Sequence, residues 1–411
     1  MAAGSPIIAQ RQAATFQHLW QRMAPHVSTD RALPFRFESL LRNNRGFGSR
    51  DRRLYRELFY TGLRYYPWIN NRESPIGDLE LKLLIWLCTS TAATQPLKAA
   101  FVDEWPQLPQ TLAEKSAIAQ ARGVSQAARS LLPGWFETEC PAAFAPPNYD
   151  ILAIRAPLWI RLQTEDVQAV ARDFSSRGWT WTPSRLQADA WRLETEADVE
   201  STPSFQEGRF EVQDIGSQWV LAQGRPQPGE RWLDACAGAG GKTLQLARLV
   251  GSTGQVDAYD VRATALTELR HRVDRARLRT VRVVTKLSGT YDGVLVDAPC
   301  SGSGTWRRAP HLKWSTSQST LVEMSRLQLE ILARASQQVR TGGRLVYATC
   351  SLARSENEQV IERFIEQHSN FSRWQESDAE SVGNETWGHT LLPSTFDSDG
   401  FYVAVLRHNP G

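Results

Sequence analysis

Hydrophobic residues recur at helical spacing over the first third of the chain. In the segment from residue 51 to 66, apolar and aromatic side chains stand three and four positions apart, at Leu54, Leu58, Phe59, Leu63 and Tyr66. This spacing places them on one face of an α-helix. No alternation typical of strands competes with it over residues 10–125, so the sequence predicts a helical domain over residues 1–125.

A proline-rich stretch follows, and the pattern changes after it. The stretch CPAAFAPPNYD at residues 140–150 indicates a boundary or a linker. Beyond it, ILAIRAPLWIRLQ is typical of a strand, and EDVQAVARDFSSRGW is typical of a helix that ends near Gly178. The sequence therefore predicts a small α/β linker module over residues 126–205.

Strands and helices alternate from about Arg209 to the end of the chain. Strand-like segments stand at 231–236, 255–260, 281–284, 292–297, 344–349 and 401–406, with helical segments between most of them. This alternation predicts an α/β domain over residues 206–411, with a doubly wound and mostly parallel sheet. Ligands of such sheets bind at the carboxyl ends of the strands.

Composition narrows the class of protein. The chain has 411 residues, of which 41% are apolar and 22% charged, as in a soluble globular protein of two or three domains. Its five cysteines are too few and too scattered for a disulfide framework, and no CxxC pair indicates a zinc site. No apolar stretch has the length of a membrane span. We therefore expect a cytoplasmic protein without a metal or a membrane partner.

Basic residues cluster although the net charge is only +3. The first 64 residues contain eleven arginines and four acidic residues, a balance of +7. A second run, from Arg270 to Lys286, has seven basic residues against Asp274 alone. The planar fork of arginine suits phosphate groups, so the first cluster predicts nucleic-acid contact, and the second does so more weakly. The alternative is a solvated helix face.

The first strand of the α/β domain leads into the glycine-rich sequence CAGAGGKT at residues 236–243. A P-loop would require glycine at Cys236, and a dinucleotide loop would require glycine at Thr243. The next strand ends at Asp260, where a carboxylate can accept both hydroxyls of a ribose. The pattern favours a nucleoside ligand without a pyrophosphate, such as S-adenosylmethionine, over a simple tight turn.

Two cysteines follow strands on the side where the ligand is expected. One lies in DAPCSGSGT, residues 297–305, and the other in YATCS, residues 347–351. A lone cysteine is most often a buried core residue. The positions of Cys300 and Cys350 favour a chemical role, because a thiolate is a soft nucleophile suited to an electron-poor ring carbon.

These motifs resemble those of the RNA 5-methylcytosine methyltransferases, in particular the Sun/RsmB type. In that type a NusB-like helical domain is fused to a Rossmann-like methyltransferase domain. The pairing of DAPCSGSGT with ATCS is the most specific part of the resemblance. Further motifs in the family's order over residues 205–411 are VQDIGSQ, DACAGAGGKT, VDAYDVRATALTELR, TWRRAPHLKW and DGFYVAVL. Residues 49–64 resemble the NusB-like part less specifically.

The resemblance implies roles for individual residues. Cys350 would be the nucleophile that adds to C6 of cytosine, and Cys300 would help to release the covalent adduct. A DNA cytosine methyltransferase would use the Pro-Cys motif instead, so the presence of both cysteines indicates RNA. Asp297 would hold the cytosine edge and approach the cofactor, and Asp260 would bind the ribose. The remaining residues expected to line S-adenosylmethionine are Cys236, Ala237, Gly238, Ala239, Gly240, Gly241 and Lys242.

RNA contacts are expected next to the catalytic loop. Arg307, Arg308 and Lys313 are predicted to bind phosphates, with a salt-bridged loop as the alternative for the two arginines. Trp306 suits stacking on a base and burial in a core equally well. The expected substrate is 16S ribosomal RNA. Transfer RNA remains an alternative substrate, and a non-catalytic ribosome-assembly factor is an alternative function.

Two positions depart from the family pattern. Ala239 stands where the family often has proline. Thr285 and Lys286 follow the third strand, where the family usually offers an acid to the adenine amino group. The second departure bears on cofactor affinity and favours the assembly-factor alternative, whereas the cysteine pair opposes it. The oligomeric state does not follow from the sequence, although a monomer is expected.

Overall fold

The helical and the alternating parts of the sequence fold into two units. The computed structural model describes residues 6–70, 76–194, 198–374 and 387–410. One unit contains the chain up to Arg155 together with Trp306–Ser317, and the other contains Ala156–Thr305 and the chain from Gln318 onward. The domain boundaries at residues 125 and 205 remain assignments from the sequence. None of the helices in the described ranges combines the length and the apolar character needed to cross a bilayer.

The first unit is helical, as the spacing of its hydrophobic residues predicts. Its core includes Leu54, Leu58, Phe59 and Leu63, each at most 1% exposed. The ring of Phe59 stacks on that of Phe37 at 3.9 Å. Burial of such faces stabilises helices that would be marginal alone. The helices are α1 (Pro6–Met23), α2 (Leu33–Asn43), α3 (Ser49–Arg64), α4 (Tyr66–Ile69), α5 (Asp78–Leu87), α6 (Gln95–Phe101), α7 (Leu112–Gln120) and α8 (Asn148–Leu152).

A small antiparallel sheet begins the second unit. Its strands are β1 (Leu158–Leu162), β2 (Trp181–Pro183), β3 (Ala190–Leu193) and β4 (Phe210–Val212), in the order β2-β3-β1-β4. Helix α9 (Val167–Ser176) packs on it through Val170 and Phe174, which are fully buried. The helix predicted after the proline-rich stretch is therefore confirmed. Of the strand predicted over 151–163, residues 158–162 form β1, whereas residues 151–152 are the end of α8. Helices α10 (Pro203–Gln206) and α11 (Ile215–Gly224) follow.

A larger, mostly parallel sheet forms the centre of the second unit, which confirms the predicted fold class. Strands β5 (Arg231–Asp234), β6 (Gln255–Ala258), β7 (Val281–Val283), β8 (Tyr291–Asp297) and β9 (Val339–Thr349) are parallel, in the order β9-β8-β5-β6-β7. Three antiparallel strands complete it, with β12 (Phe401–His408) pairing with β9, β10 (Phe371–Arg373) and β11 (His389–Leu391).

Helices connect most of the parallel strands, as a doubly wound sheet requires. Residues 284–290, between β7 and β8, contain neither helix nor strand, so this connection is short. The helices are α12 (Gly241–Val250), α13 (Ala263–Arg275), α14 (Pro310–Ser315), α15 (Gln318–Ser336), α16 (Glu358–Gln367) and α17 (Pro393–Phe396). Of these, α14 belongs to the first unit.

The strand order places a crevice at one edge of the sheet. The chain leaves β5 toward β6 and β7 on one side, whereas β8 and β9 lie on the other side of β5. A reversal of this kind separates the connections at the carboxyl ends of the strands and leaves room for a ligand. Cys236, Asp260, Asp297 and Cys350 all stand at this edge, at or just after the ends of β5, β6, β8 and β9.

Candidate active site

The glycine-rich loop connects β5 to α12. Gly238 and Gly240 have φ angles of 53° and 94°, which glycine adopts without strain. A Cβ atom at Gly241 would meet no other atom within 4 Å. Open space therefore adjoins the first turn of α12, where main-chain N–H groups lack partners within the helix. The loop leaves room for a ligand close to the main chain.

Asp234 anchors the base of this loop. Its side chain is 1% exposed, and its Oδ2 accepts a hydrogen bond of 2.7 Å from Oγ1 of Thr243 in α12. Burial raises the pKa of Asp234 to about 7, although the hydrogen bond from Thr243 opposes this shift. The bond joins the end of β5 to the first turns of α12, so the loop between them is closed at both ends.

Asp260 is held at the end of β6 by main-chain and side-chain donors. Its Oδ2 accepts from the N–H of Gly238 at 2.8 Å, and its Oδ1 accepts from the N–H of Arg262 at 2.8 Å. The guanidinium of Arg262 binds both oxygens at 3.0 Å. Burial alone would raise the pKa of Asp260, but these hydrogen bonds lower it below its usual value. A ribose bound here would share the carboxylate with Arg262.

Lys242 and Asp297 meet across the crevice. Nζ of Lys242 lies 2.8 Å from Oδ2 of Asp297. Lys242 is 7% exposed and its ammonium also lies 5.2 Å from the centre of the Phe401 ring, whereas the side chain of Asp297 remains 32% exposed. The structure thus brings a predicted cofactor residue into contact with a predicted catalytic residue, and the aspartate keeps a surface for a ligand.

The two predicted catalytic cysteines form a pair. Sγ of Cys300 lies 3.4 Å from Sγ of Cys350, and both side chains are partly exposed. The N–H of Gly304 binds the carbonyl oxygen of Cys350 at 3.0 Å. This bond connects the loop after β8 directly to the loop after β9. Two sulfur atoms 50 positions apart in the sequence therefore lie in contact.

The surroundings keep a proton on Cys300. A hydrogen bond to Cys350 and burial both raise the pKa of the Cys300 thiol, and the charges of Cys350 and Glu356 act in the same direction. Cys300 therefore stays a neutral thiol in contact with Cys350, and either sulfur can be the donor of this contact. Burial also raises the pKa of Cys236, with nearby carboxylates adding to the effect. Cys236 accordingly lines the loop as a neutral thiol.

Comparison with known proteins identifies the family. The model of 16S rRNA methyltransferases RsmB/F matches residues 221–407. Ribosomal RNA small subunit methyltransferase B of Vibrio cholerae is 35% identical over 268 residues, which cover 61% of this chain and 59% of that protein. The protein of the same name from Escherichia coli K12 is 31% identical over 295 residues, 68% of this chain and 67% of that protein. The chain belongs to the RsmB/F family of RNA methyltransferases.

The family match covers part of each relative. The aligned segments span 59% of the V. cholerae protein and 50% of a probable methyltransferase B from Synechocystis. Solved structures agree on the fold. The crystal structure of PH0851 gives a TM-score of 0.70 at 21% identity, over 91% of this chain and 94% of that one. A methyltransferase homologue from Pyrococcus horikoshii gives 0.56 at 24% identity, over 66% and 92%.

The predicted phosphate contacts of this RsmB/F protein divide into buried and exposed residues. Arg307 and Lys313 are each 1% exposed and donate to main-chain carbonyls of the first unit, at Arg155 (3.2 Å) and Arg64 (3.0 Å). This burial contradicts direct phosphate contact by these two side chains. Arg308 is exposed and remains a candidate.

Trp306 is buried in a core, which is one of the two roles that its sequence suits; the other is stacking on a base. Its side chain is 0% exposed, and its ring lies 4.5 Å from that of Phe136 in the same unit. A base cannot stack on a ring that is covered on both faces. Trp306 therefore packs the segment that follows the loop of Cys300, and it offers no surface to RNA.

The second basic run is partly internal. Arg272 and Arg275 both bind Glu211, a carboxylate that is 1% exposed, and Arg282 binds the buried Asp257. Arg272 and Arg275 are 17% and 19% exposed and compensate a buried acid, so they do not form a free phosphate surface, whereas Arg282 remains 56% exposed. Glu211 lies 61 positions from Arg272, so no local pattern predicts this pairing.

Thr285 and Lys286, which stand where the family usually has an acid, are exposed after β7. They line a cavity of about 230 Å³ together with Tyr259, Leu287, Arg334, Gln337 and Gln338. No acidic side chain belongs to this described lining. The lining of this cavity therefore contains no carboxylate that could replace the acid that the family usually offers to the adenine amino group.

Proposed function

We propose that this RsmB/F-family protein is an S-adenosylmethionine-dependent methyltransferase that acts on C5 of a cytosine in 16S ribosomal RNA. The observation that carries the proposal is the separation of 3.4 Å between the Sγ atoms of Cys300 and Cys350 at the crevice edge of the sheet. A structural core would leave one or both thiols inert and enclosed, whereas these two are partly exposed. Its substrate would place it in the cytoplasm.

The cysteine pair suits the difficulty of this reaction. C5 of cytosine is a poor nucleophile, and addition of the Cys350 thiolate to C6 makes C5 enamine-like. The bound cofactor supplies the methyl group as a sulfonium. A base then removes the C5 proton, and the bond between Sγ and C6 breaks with Cys350 as the leaving group. Cys300 retains its proton and lies in contact with Cys350. It is therefore placed to assist release of Cys350 from C6.

The residues at the crevice fit the cofactor. The glycine-rich loop offers main-chain approach at Gly241, and Asp260 offers a carboxylate to ribose hydroxyls. Lys242 holds Asp297 toward the same crevice, where the exposed part of this carboxylate can bind the N3/N4 edge of cytosine. The proposal therefore assigns the sugar to Asp260 and the base edge to Asp297.

Exposed arginines support RNA as the substrate class. Arg308 follows the catalytic loop, and Arg42, Arg45, Arg50 and Arg53 are exposed near α2 and α3. Guanidinium groups in such positions can neutralise phosphates along a single strand. A cytosine methylated at C5 must also be unstacked from a duplex, so a single-stranded or flipped nucleotide is the expected substrate.

The test uses tritiated S-adenosylmethionine and small-subunit ribosomal RNA that lacks the modification. We expect transfer by the wild type and by Cys140→Ala, a control in the first unit, and no transfer by Cys350→Ala. Cys300→Ala should accumulate a protein–RNA adduct that survives denaturing electrophoresis. Adduct with Cys350→Ala and none with Cys300→Ala would reverse the two roles.

Further outcomes separate the alternatives. Transfer to transfer RNA alone would change the substrate. No transfer to any RNA, together with no cofactor binding by calorimetry, would leave an RNA-binding assembly factor.

A further inference from the structure

A buried carboxylate lies between the two cysteine loops. Glu356 is 0% exposed and stands six residues after Cys350, just before α16. It contacts neither thiol directly in the described hydrogen-bond network. Two of its partners are the residues that follow Cys300 and Cys350 in the sequence, namely Ser301 and Ser351.

One oxygen of Glu356 holds the main chain after β8. Oε1 accepts from the N–H of Ser301 at 2.7 Å and from Nε2 of Gln328 at 3.1 Å. Gln328 also donates to the carbonyl oxygen of Pro299 at 2.9 Å. The peptides on both sides of Cys300 are thereby fixed. Both donors are N–H groups, so this position requires an acceptor.

The other oxygen joins the two loops through hydroxyl groups. Oε2 accepts from Oγ of Ser301 and from Oγ of Ser351, both at 2.5 Å. Oγ of Ser351 also lies 2.9 Å from Oγ of Ser303 and accepts from the N–H of Ala353 at 3.0 Å. With one hydroxyl from each loop on the same oxygen, a shift of either loop breaks a buried hydrogen bond.

The neighbouring Asn357 fixes the same segment from the other side. Its Nδ2 donates to the carbonyl oxygen of Ser351 at 3.0 Å, and its Oδ1 accepts from Oγ1 of Thr349 at 2.6 Å. Cys350 thus lies between two residues that are anchored to Asn357. Buried polar networks of this kind hold a unique arrangement when every member has a partner.

We propose that Glu356 is a positioning residue that fixes the loops of Cys300 and Cys350 against each other and so sets the contact between their sulfur atoms. This inference rests on the proposed function for its catalytic consequence. Its structural content, the joint anchoring of two loops by one carboxylate, is independent of which reaction the thiols perform. Glu356 acts through Ser301 and Ser351, and it touches no reacting atom.

The charge of Glu356 gives the proposal a readout apart from stability. That charge is one of the factors that raise the pKa of the Cys300 thiol. Glu356→Gln keeps the volume but removes the charge, and its amide nitrogen cannot accept from two donors. The substitution should therefore loosen the loop junction and make Cys300 ionise at lower pH.

The experiment compares wild type, Glu356→Gln and Glu362→Gln, a control at an exposed position of α16, the helix that follows Glu356. Alkylation of Cys300 and Cys350 by iodoacetamide is followed against pH by peptide mass spectrometry without cofactor. Affinity for S-adenosylmethionine and kcat on RNA are measured beside it. For Glu356→Gln we expect a Cys300 profile shifted to lower pH, cofactor affinity within about twofold of wild type, and kcat lower by about 10- to 100-fold, the scale of a small misplacement.

Defined outcomes would overturn the inference. An unchanged alkylation profile together with kcat within twofold of wild type refutes it, as does an equal effect of Glu362→Gln. If Glu356→Gln does not fold, Ser351→Ala removes a single hydroxyl and should lower kcat with the cofactor affinity retained. If the wild type transfers no methyl group, the proposed function fails, and the alkylation profiles alone decide whether Glu356 positions the thiols.

Discussion

Nη1 of Arg272 donates a hydrogen bond of 3.0 Å to the main-chain carbonyl oxygen of Ala239, in the middle of the glycine-rich loop. Arg272 is itself held by Glu211, which it binds through Nε and Nη2 at 3.2 and 2.8 Å. Proline, frequent at this position in the family, would restrain the loop by fixing its own φ angle. In this chain a side chain from α13 restrains the same peptide from outside.

Arg272→Gln should therefore weaken binding of S-adenosylmethionine. Loss of a charge-assisted hydrogen bond costs about 1.5–3 kcal/mol, and about a tenfold rise in Kd is expected if the loop must be ordered by the ligand. Calorimetric titration measures this rise. The control is Arg270→Gln, an exposed position on the same helix, which should leave Kd unchanged. Equal Kd values for both variants would contradict a restraining role.

Asp260 and Arg262 should have opposite effects on the cofactor. Asp260→Asn removes a charged acceptor for the ribose hydroxyls and should raise Kd by about tenfold. Arg262→Ala removes the side chain that competes for the carboxylate, and its side chain is 66% exposed. An exposed ion pair contributes up to about 1 kcal/mol, so Kd should fall by at most about fivefold. A large rise in Kd for Arg262→Ala would show that the arginine binds the ligand itself.

Lys313 should make the stability of the first unit depend on pH. Burial, with a contribution from the charge of Arg64, lowers the pKa of Lys313 from 10.5 to about 7. Between pH 7 and 10.5 the unfolded chain binds a proton that the folded chain does not, so this lysine makes stability rise with pH across that window. Below pH 7 its destabilising effect is fully present.

Lys313→Met should remove this dependence. Urea unfolding of the full chain at pH 7 and pH 9 would show a smaller gain in stability for the variant than for wild type. Lys82→Met, at a partly exposed site, serves as the control and should keep the wild-type gain. A variant with the same gain as wild type would mean that Lys313 is charged in the folded protein.

Gly304→Ala should separate the cysteine loops. A Cβ at this position would lie 2.1 Å from the carbonyl oxygen of Gly400 and 2.9 Å from that of Cys350. Overpacking typically costs about 1–3 kcal/mol, and relief of this clash would move the Cys350 loop. The unfolding temperature and the amount of protein–RNA adduct should both fall. Gly134→Ala, whose Cβ meets no atom within 4 Å, should leave both unchanged.

Local patterns predicted the elements and the residues at the strand ends. The strands after which Cys300 and Cys350 stand were visible because buried parallel strands are short apolar runs, and topology then brings their ends together. No local pattern predicted the burial of Trp306 and Arg307. A segment with two arginines, a lysine and two tryptophans is typical of a surface loop, and only tertiary packing buries it.

Long-range polar partners were the other part that local patterns could not predict. Glu356 stands just before α16, and helix starts favour acidic residues for a local reason. Its contact with Ser301 spans 55 positions. The link between Arg272 and Glu211 is of the same kind. Such pairings depend on which loops the sheet order places side by side, which no single segment encodes.

The first unit is assembled from two stretches of chain, and this has a consequence for biosynthesis. Trp314 donates to the carbonyl oxygen of Leu63 at 2.6 Å, and Trp306 packs on Phe136, yet about 150 residues of the second unit separate these partners in the sequence. A nascent chain that has just produced the helices up to α8 still lacks Trp306–Ser317. The ribosome must therefore translate strands β1 to β8 before the first unit can complete its core.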